Sequence, residues 1–201
     1  MIHTTLEIIK EELSNYFRDS GSVFSDPNLT VLELGNIAMI DAFNEDHKEE
    51  IEDKIVISLV NIDQDKVLRN GPTFTRTTDE NGKPTILHHN PTVYLNLYIL
   101  FSAHQSNYLD ALRQLSTVIE FFQRQFVFSG NEIPQLQDGN IEKLIFDMYT
   151  MGFDQLNQLW GVLGGKYIPS IMYKVRVVPI QRSDEQPGPA ITSYNTKENI
   201  L

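Results

Sequence analysis

The chain contains no cysteine, and tryptophan occurs once, at position 160. The absence of cysteine excludes disulfides, thiolate nucleophiles and thiolate metal sites, and it is typical of proteins that fold in a reducing compartment. Catalytic signatures are also missing. The sequence has no G-x-S-x-G elbow and no H-E-x-x-H motif. His88 and His89 are adjacent, and neighbours in a strand point to opposite faces, so they do not form a metal site. We expect no catalytic residue, no metal and no cofactor.

Positive charge is scarce as well. Sixteen Lys and Arg oppose 27 Asp and Glu, which gives a net charge of −11. This charge repels phosphate backbones and anionic lipid, so nucleic acid is an unexpected partner. No apolar run approaches the roughly 18 residues that a membrane span needs, so direct membrane insertion is not expected. Residues 1–30 carry acidic residues in an amphipathic pattern, unlike a signal peptide.

Two apolar segments dominate what is present. The run from Lys54 to Ile62 is nearly all apolar, as in a central strand buried on both faces. The segment from Pro91 to Ala103 alternates with a period of two. One face of it carries Val93, Leu95, Leu97, Ile99 and Phe101, and the other carries Thr92, Tyr94, Asn96, Tyr98 and Ser102. We interpret the two segments as neighbouring core strands, and we expect the tyrosine-bearing face to lie under a helix or against another subunit.

Between these strands lies a long polar segment. Threonines on both sides of Asn81-Gly82 predict a projecting β-hairpin. Such a hairpin has few apolar residues and is marginally stable alone, so we expect it to contact another part of the assembly. Long segments of this kind are usually functional or disordered.

The remaining pattern predicts three helices and three further strands. The helices are Ile2 to Phe17, Ser106 to Phe128 and Phe153 to Leu163, and the strands are Leu29 to Leu34, Ile141 to Tyr149 and Ile171 to Ile180. Ser106 is the expected N-cap of the second helix, whose apolar stripe comprises Leu109, Leu112, Leu115, Ile119 and Phe122. In the strand from Ile141, we expect Leu144, Phe146 and Met148 to point inward. In the third helix we expect Trp160 to be a core anchor and the glycines at 164–165 to form the C-cap.

Residues 41–53 and 131–140 are expected to be polar loops, and the tail from Arg182 to Leu201 has no periodicity. These elements predict one α+β domain over residues 1–181, with a largely antiparallel or mixed sheet flanked by helices on one side, and an extended C-terminal arm over residues 182–201.

The order of these elements resembles the cap, or terminator, proteins of phage-tail-like contractile injection systems. The resemblance covers residues 2–182. It is carried by the opening helix, the strand Ile57 to Ile62 with its exit Leu68-Arg69-Asn70, and the strand Thr92 to Leu100, and it continues through the helix with Leu159-Trp160 and the strand Ser170 to Val178. The polar segment with its hairpin is longer than the family pattern implies.

The resemblance implies a tail-terminator-like fold and a homo-hexameric ring on the distal end of the inner tube and sheath, whose growth it stops. Tube and sheath subunits are then the partners. Assembly is expected in the cytoplasm, within a particle that can be released from the cell. Two alternatives stay open: a baseplate or adaptor component of the same particle, and a small ligand-binding domain that uses the tyrosine face. The candidate subunit or partner contacts are Arg69, Asn70, Phe74, Arg76, Tyr94, Tyr98, Tyr194, Ile200 and Leu201.

Overall fold

The computed structural model describes residues 1–19, 31–39, 53–65, 93–164 and 166–179, and the backbone of residues 74–78, 84–88 and 186–188. Its helices are α1 (Ile2–Asp19), α2 (Tyr108–Arg124), α3 (Pro134–Asp138) and α4 (Phe153–Val162), with a 3-10 turn at Ile37–Met39. Its strands are β1 (Leu32–Leu34), β2 (Lys54–Gln64), β3 (Phe74–Thr78), β4 (Pro84–His88), β5 (Leu95–His104), β6 (Val127–Ser129), β7 (Ile141–Met148), β8 (Ser170–Pro179) and β9 (Gln186–Gly188).

The chain divides into two compact units. The larger comprises Met1–Gln64 and Tyr94–Ile180, and the smaller comprises Asp65–Val93 and Gln181–Leu201. The larger unit contains a six-stranded sheet in the order β1-β2-β5-β8-β7-β6. Only the β1–β2 pair is parallel, and every other pair in this sheet is antiparallel. The mixed α+β prediction is therefore confirmed, as is the prediction that β2 and β5 are neighbours.

One face of the six-stranded sheet, called here the main face, carries the principal core. Helices α1 and α2 cover it, and their buried side chains include Leu13 and Phe17 from α1. Phe122 of α2 lies at the centre of an aromatic cluster, with ring centroids 4.5 Å from Phe146 and Tyr173. Burial raises the pKa of the Tyr173 hydroxyl to about 12. Leu97, Ile99 and Phe101 of β5 are buried on this face, as the period-two pattern predicts.

The opposite face of the same sheet, called here the second face, is covered by α4. Trp160 packs there with Val56, Leu100, Met172 and Ile37. The prediction that helices lie on one side only is thus wrong. Helix α4 packs on the second face because Val56, Leu100 and Met172 place apolar side chains there among polar ones. The predicted role of Trp160 as a core anchor is supported, since Trp160 is buried. Gly164, with φ of +112°, follows the C-cap residue Leu163 and ends the helix as predicted, whereas Gly165 lies outside the described residues.

Helix α2 differs from its prediction at both ends. Its N-cap is Asn107 instead of Ser106, because the Asn107 side chain accepts a hydrogen bond from the Leu109 N–H. The buried residues of α2 include Ala111, Leu115, Val118 and Phe122, which follow one another at spacings of four and three. That phase leaves Leu109 and Leu112 exposed, contrary to expectation. The helix ends at Arg124, and the chain then enters β6.

Four smaller predictions also fail. Residues 131–140 contain the helix α3, which begins at Pro134 and fixes Leu136 in the core. Met148 is half exposed because it is the last residue of β7, and Val93 is half exposed because it precedes β5. The second half of β2 is not buried on both faces, since Ile62 is 46% exposed.

The smaller unit contains a three-stranded sheet in the order β3-β4-β9. Strands β3 and β4 form the predicted hairpin, in which Arg76 pairs with Ile86. The C-terminal segment adds β9 to the free edge of β4, antiparallel, with Ile86 opposite Gly188. The predicted loop at 41–53 lies outside the described residues except for Asp53.

Candidate functional site

Part of the second face, on β5, β8 and β7, carries polar side chains in register. Tyr98 of β5 is paired with Lys174 of β8, which is paired with Asp147 of β7. The next pair on the same face, two residues along each strand, is Asn96 opposite Arg176. We call this set the polar half-face, comprising Asn96, Tyr98, Asp147, Tyr149, Lys174 and Arg176. It places two cations and three neutral hydrogen-bonding groups beside one carboxylate.

Aromatic contact and burial set the chemistry of the polar half-face. The rings of Tyr98 and Tyr149 meet edge to face at 5.2 Å. Burial raises the pKa of Tyr98, and Tyr149 and Asp63 add smaller contributions in the same direction. Tyr98 therefore presents a protonated hydroxyl that can donate or accept a hydrogen bond. Asn96 is 3% exposed, and its Oδ1 has no hydrogen-bond partner among the described residues.

One group of exposed apolar side chains lies on the helices of the larger unit: Tyr108, Leu109 and Leu112 are exposed together on the first turns of α2. On α4, Phe153 is 91% exposed and Val162 is 84% exposed, but they stand at the two ends of the helix and do not form a group. Apolar side chains exposed in groups are more informative than single ones, and they mark candidate contacts with other proteins.

The junction of β1 and β2 is organised by one buried hydroxyl. Ser58 is 3% exposed; its Oγ donates to the Gly35 carbonyl at 2.6 Å and accepts from the Ile37 N–H at 3.1 Å. These bonds end β1 and turn the chain into the 3-10 segment, where Ile37 joins the cluster under α4. Beyond Ser58, none of the described strands pairs with the outer edge of β2.

A serine, a histidine and an aspartate lie near one another at the start of β2, but they do not form a catalytic triad. Ser106 donates from both its N–H and its Oγ to Asp53 Oδ1, at 2.9 and 2.8 Å. These bonds, with a smaller contribution from His104, hold the pKa of Asp53 below its usual value. In a triad the serine hydroxyl bonds to the histidine instead. His104 Nδ1 has no hydrogen-bond partner among the described residues.

No metal or cofactor site is evident among the described residues. Within the residues whose positions are described, no group of three or more His, Asp and Glu side chains could hold a metal ion. A cavity of about 190 Å³ lies at the β6–β7 turn, and it is smaller than the range of roughly 300–1,000 Å³ typical of ligand pockets. Its lining includes the polar residues Ser129, Asn131, Gln137 and Glu142 and the apolar residue Ile141.

The candidate contacts predicted from the sequence belong to different parts of the chain. Tyr94 and Tyr98 lie half-buried at β5 in the larger unit, and Phe74 and Arg76 lie on β3 in the smaller unit. Arg69, Asn70, Tyr194, Ile200 and Leu201 lie outside the described residues, so an interface formed by this set stays a prediction. Sequence reasoning missed Ser58, Tyr149, Lys174 and Arg176. For Ser58 a signal existed, since it is the one polar residue within the apolar run of β2 up to Val60.

Together these features define an α+β domain with a mixed sheet, surfaces suited to protein contacts, and no assembled catalytic set among its described residues. The chain belongs to the family described as the Pvc16 N-terminal domain, whose model matches residues 4–193. The resemblance inferred from the sequence is therefore confirmed.

One solved structure agrees with this chain at the level of the fold. A sheath/tube terminator of an extracellular contractile injection system, PVC, in its extended state, superposes with a TM-score of 0.56 at 17% identity. The match covers all of this chain and 65% of the terminator, so this chain spans about two thirds of its relative. The tube-terminating cap of the anti-feeding prophage is similar at 19% identity with a TM-score of 0.45, covering 72% of this chain and 49% of that one.

No curated protein gives a significant match. Across the part of the chain that the structure describes, no helix has the length and apolarity to cross a bilayer.

Proposed function

We propose that this chain is a structural cap of a contractile injection system, which sits on the distal end of the inner tube and sheath and stops their growth. The observation that carries the proposal is the fold similarity to a sheath/tube terminator over the whole of this chain, together with membership of the Pvc16 N-terminal domain family. A non-enzymatic role agrees with the serine, histidine and aspartate at Asp53, whose hydrogen bonds differ from those of a triad.

The proposed cap is a ring of identical subunits, six in number as the family resemblance implies. The exposed apolar group on the first turns of α2 is suited to contacts between subunits. Six copies carry six times the net charge of −11, and this charge must be offset by ion pairing or by a basic partner surface.

Light scattering on the purified chain tests the ring. We expect a species of six times the 23.1 kDa of one chain. A stable monomer, alone and in the presence of tube and sheath subunits, would contradict the ring and favour the alternative of a small ligand-binding domain.

Imaging of particles tests the termination of growth. Removing the protein from cells that assemble the particle should give tubes and sheaths of variable length, because nothing then stops polymerisation. Tubes and sheaths of unchanged length and stability would refute the proposal. If the chain were found at the baseplate in a particle map, the adaptor alternative would replace it.

The C-terminal arm is proposed to support assembly more than folding of the larger unit. Removing residues 182–201 removes β9 and leaves β3 and β4 as a two-stranded hairpin, which is marginally stable. We expect the larger unit to keep its thermal transition within a few degrees and the ring to dissociate at a higher protein concentration. Loss of the cooperative transition of the larger unit would contradict this assignment.

A further inference from the structure

Exposed apolar side chains surround the C-terminal end of α4, where the 3-10 turn and the segment before β8 meet it. We call them the α4 group, comprising Met39, Val162 and Tyr167, all of which are exposed. A Cβ placed on Gly164 would lie 3.9 Å from the Ala38 carbonyl, so the end of α4 lies beside the 3-10 turn that ends at Met39. The ring centroid of Tyr167 lies 5.8 Å from that of Trp160, in the last turns of the same helix. Three separate segments thus expose apolar side chains around one helix end.

The exposed residues on the first turns of α2, called here the α2 group, lie on the other side of the six-stranded sheet. The α2 group comprises Tyr108, Leu109 and Leu112, on a helix that covers the main face. The α4 group belongs to the helix that covers the second face. Each group consists of one tyrosine and two smaller apolar side chains. Because the sheet lies between them, they are two separate contact surfaces on one subunit.

The charges beside the two groups favour contact between unlike groups. The α2 group lies at the positive end of its helix dipole, beside the ion pair of Asp110 with the exposed Arg113. The α4 group lies at the negative end of α4, whose last turn carries no basic residue, and the exposed Lys166 follows it. Contact between two like groups would bring like helix ends and like cations together. Contact between an α2 group and an α4 group joins opposite helix ends and can place Lys166 opposite Asp110.

We propose that the α2 group of one copy of this chain packs against the α4 group of the next copy. A contact of this kind is head-to-tail, because each subunit uses two different surfaces, and head-to-tail contacts are the ones that join identical subunits into a closed ring. The inference rests on the proposed ring of identical subunits. It adds which two surfaces of the subunit meet in that ring.

Charge substitutions at exposed positions test the pairing in the full chain. Leu109→Asp disables the α2 group and Val162→Asp disables the α4 group, and each leaves the other group intact. We expect light scattering to show a monomer for each variant alone. An equimolar mixture should give a species of twice 23.1 kDa, because one intact contact remains for each pair of chains and growth stops there. Tyr108→Asp and Tyr167→Asp repeat the test with independent positions in the same two groups.

Matched controls add the same charge elsewhere on the two helices. Gln123→Asp on α2 and Asn157→Asp on α4 change exposed residues outside the two groups and should keep the oligomeric state of the parent. All of these variants should retain the thermal transition of the parent chain, since the substituted side chains are exposed.

The outcomes separate the pairing from the ring. A ring that persists in Leu109→Asp or Val162→Asp alone would overturn the pairing and leave the cap function standing. A dimer of one variant alone would overturn it in favour of contact between like groups, and a mixture that stays monomeric would show that the two groups do not meet each other. A parent chain that is monomeric, alone and with tube and sheath subunits, would overturn both the pairing and the ring.

Discussion

The two faces of the six-stranded sheet are built from the same strands, yet they differ in how they are held. The main face is covered by α1 and α2, and its core is continuous and rich in aromatic contacts centred on Phe122. The second face is covered by one ten-residue helix, α4, over a cluster of five buried residues. Beside that helix the second face carries the polar half-face, in which Asp147 and Tyr149 are exposed and Asn96 is buried. The main face therefore contains most of the stabilising contacts, and the second face leaves more surface for contacts with other molecules.

The comparison predicts its largest effect at the centre of the main face. Phe122→Ala should cost about 3–5 kcal/mol of unfolding free energy, because it leaves a cavity among Phe101, Phe146 and Tyr173. Urea denaturation followed by circular dichroism measures this loss. Phe153→Ala, which removes a ring that is 91% exposed, is the matched control and should change the free energy by less than about 0.5 kcal/mol. Equal costs would show that the two faces do not differ as described.

The second face should respond less and more locally. We expect Trp160→Ala to cost about 2–3 kcal/mol, below the usual range for a core aromatic residue, because α4 can detach without opening the main face. Hydrogen exchange measures this directly: the amides of α4 should exchange faster in the variant while those of α2 stay protected. If the amides of α2 accelerated equally, the two faces would form one cooperative unit.

A smaller loss is expected at the buried hydroxyl that joins β1 to the second face. Ser58→Ala removes the partners of the Gly35 carbonyl and the Ile37 N–H, and it should cost about 1–3 kcal/mol. Ser116→Ala is the matched control, since its hydroxyl bonds to the Leu112 carbonyl on the exposed side of α2. Thermal denaturation of the two variants compares them. A loss at Ser116 as large as that at Ser58 would remove burial as the explanation.

The smallest effect concerns the exposed link between Asp53 and Ser106. The hydrogen bonds from Ser106 lower the pKa of the Asp53 carboxyl in the folded state. The contribution of these bonds to stability is therefore fully present above the unfolded pKa of about 3.8, and it is lost as the pH falls through the lower folded pKa. Asp53→Asn should therefore destabilise the protein slightly at pH 7, and the difference from the parent should shrink as the pH falls below about 3.8. Asparagine tolerates the positive φ of 57° at this position, so the variant can keep the same backbone conformation. A difference between the parent and the variant that stayed constant as the pH fell below 3.8 would contradict the linkage.

The alternation of apolar residues predicted the faces of β5, and the order of elements predicted the family. The same patterns did not predict which face each helix covers. The apolar stripe of α4, with Leu156, Leu159 and Trp160, indicates that the helix is buried on one side but carries no information about the sheet face that receives it. The apolar surface that α4 covers on the second face is formed by Val56, Leu100 and Met172, which come from three different strands.

Two other failures have local causes. Helix α3 has five residues, too short for a helical period to be recognised, and its only buried residue is Leu136. The stripe of α2 was predicted to include Leu109 and Leu112, because apolar residues alone do not distinguish a core position from an exposed contact. For the candidate site, Tyr98 was predicted to lie on a polar face, and its contact with Tyr149 depends on the pairing of β8 with β7.

The pairing of β4 with β9 joins residues that are far apart in the sequence, with Ile86 opposite Gly188. During synthesis the β3–β4 hairpin is therefore made well before its third strand, Gln186–Gly188. Until that strand is available, β3 and β4 form a two-stranded hairpin, which is marginally stable, and β4 lacks the partner on its second edge. The smaller unit thus acquires its three-stranded sheet late in folding, by a contact between distant parts of the chain.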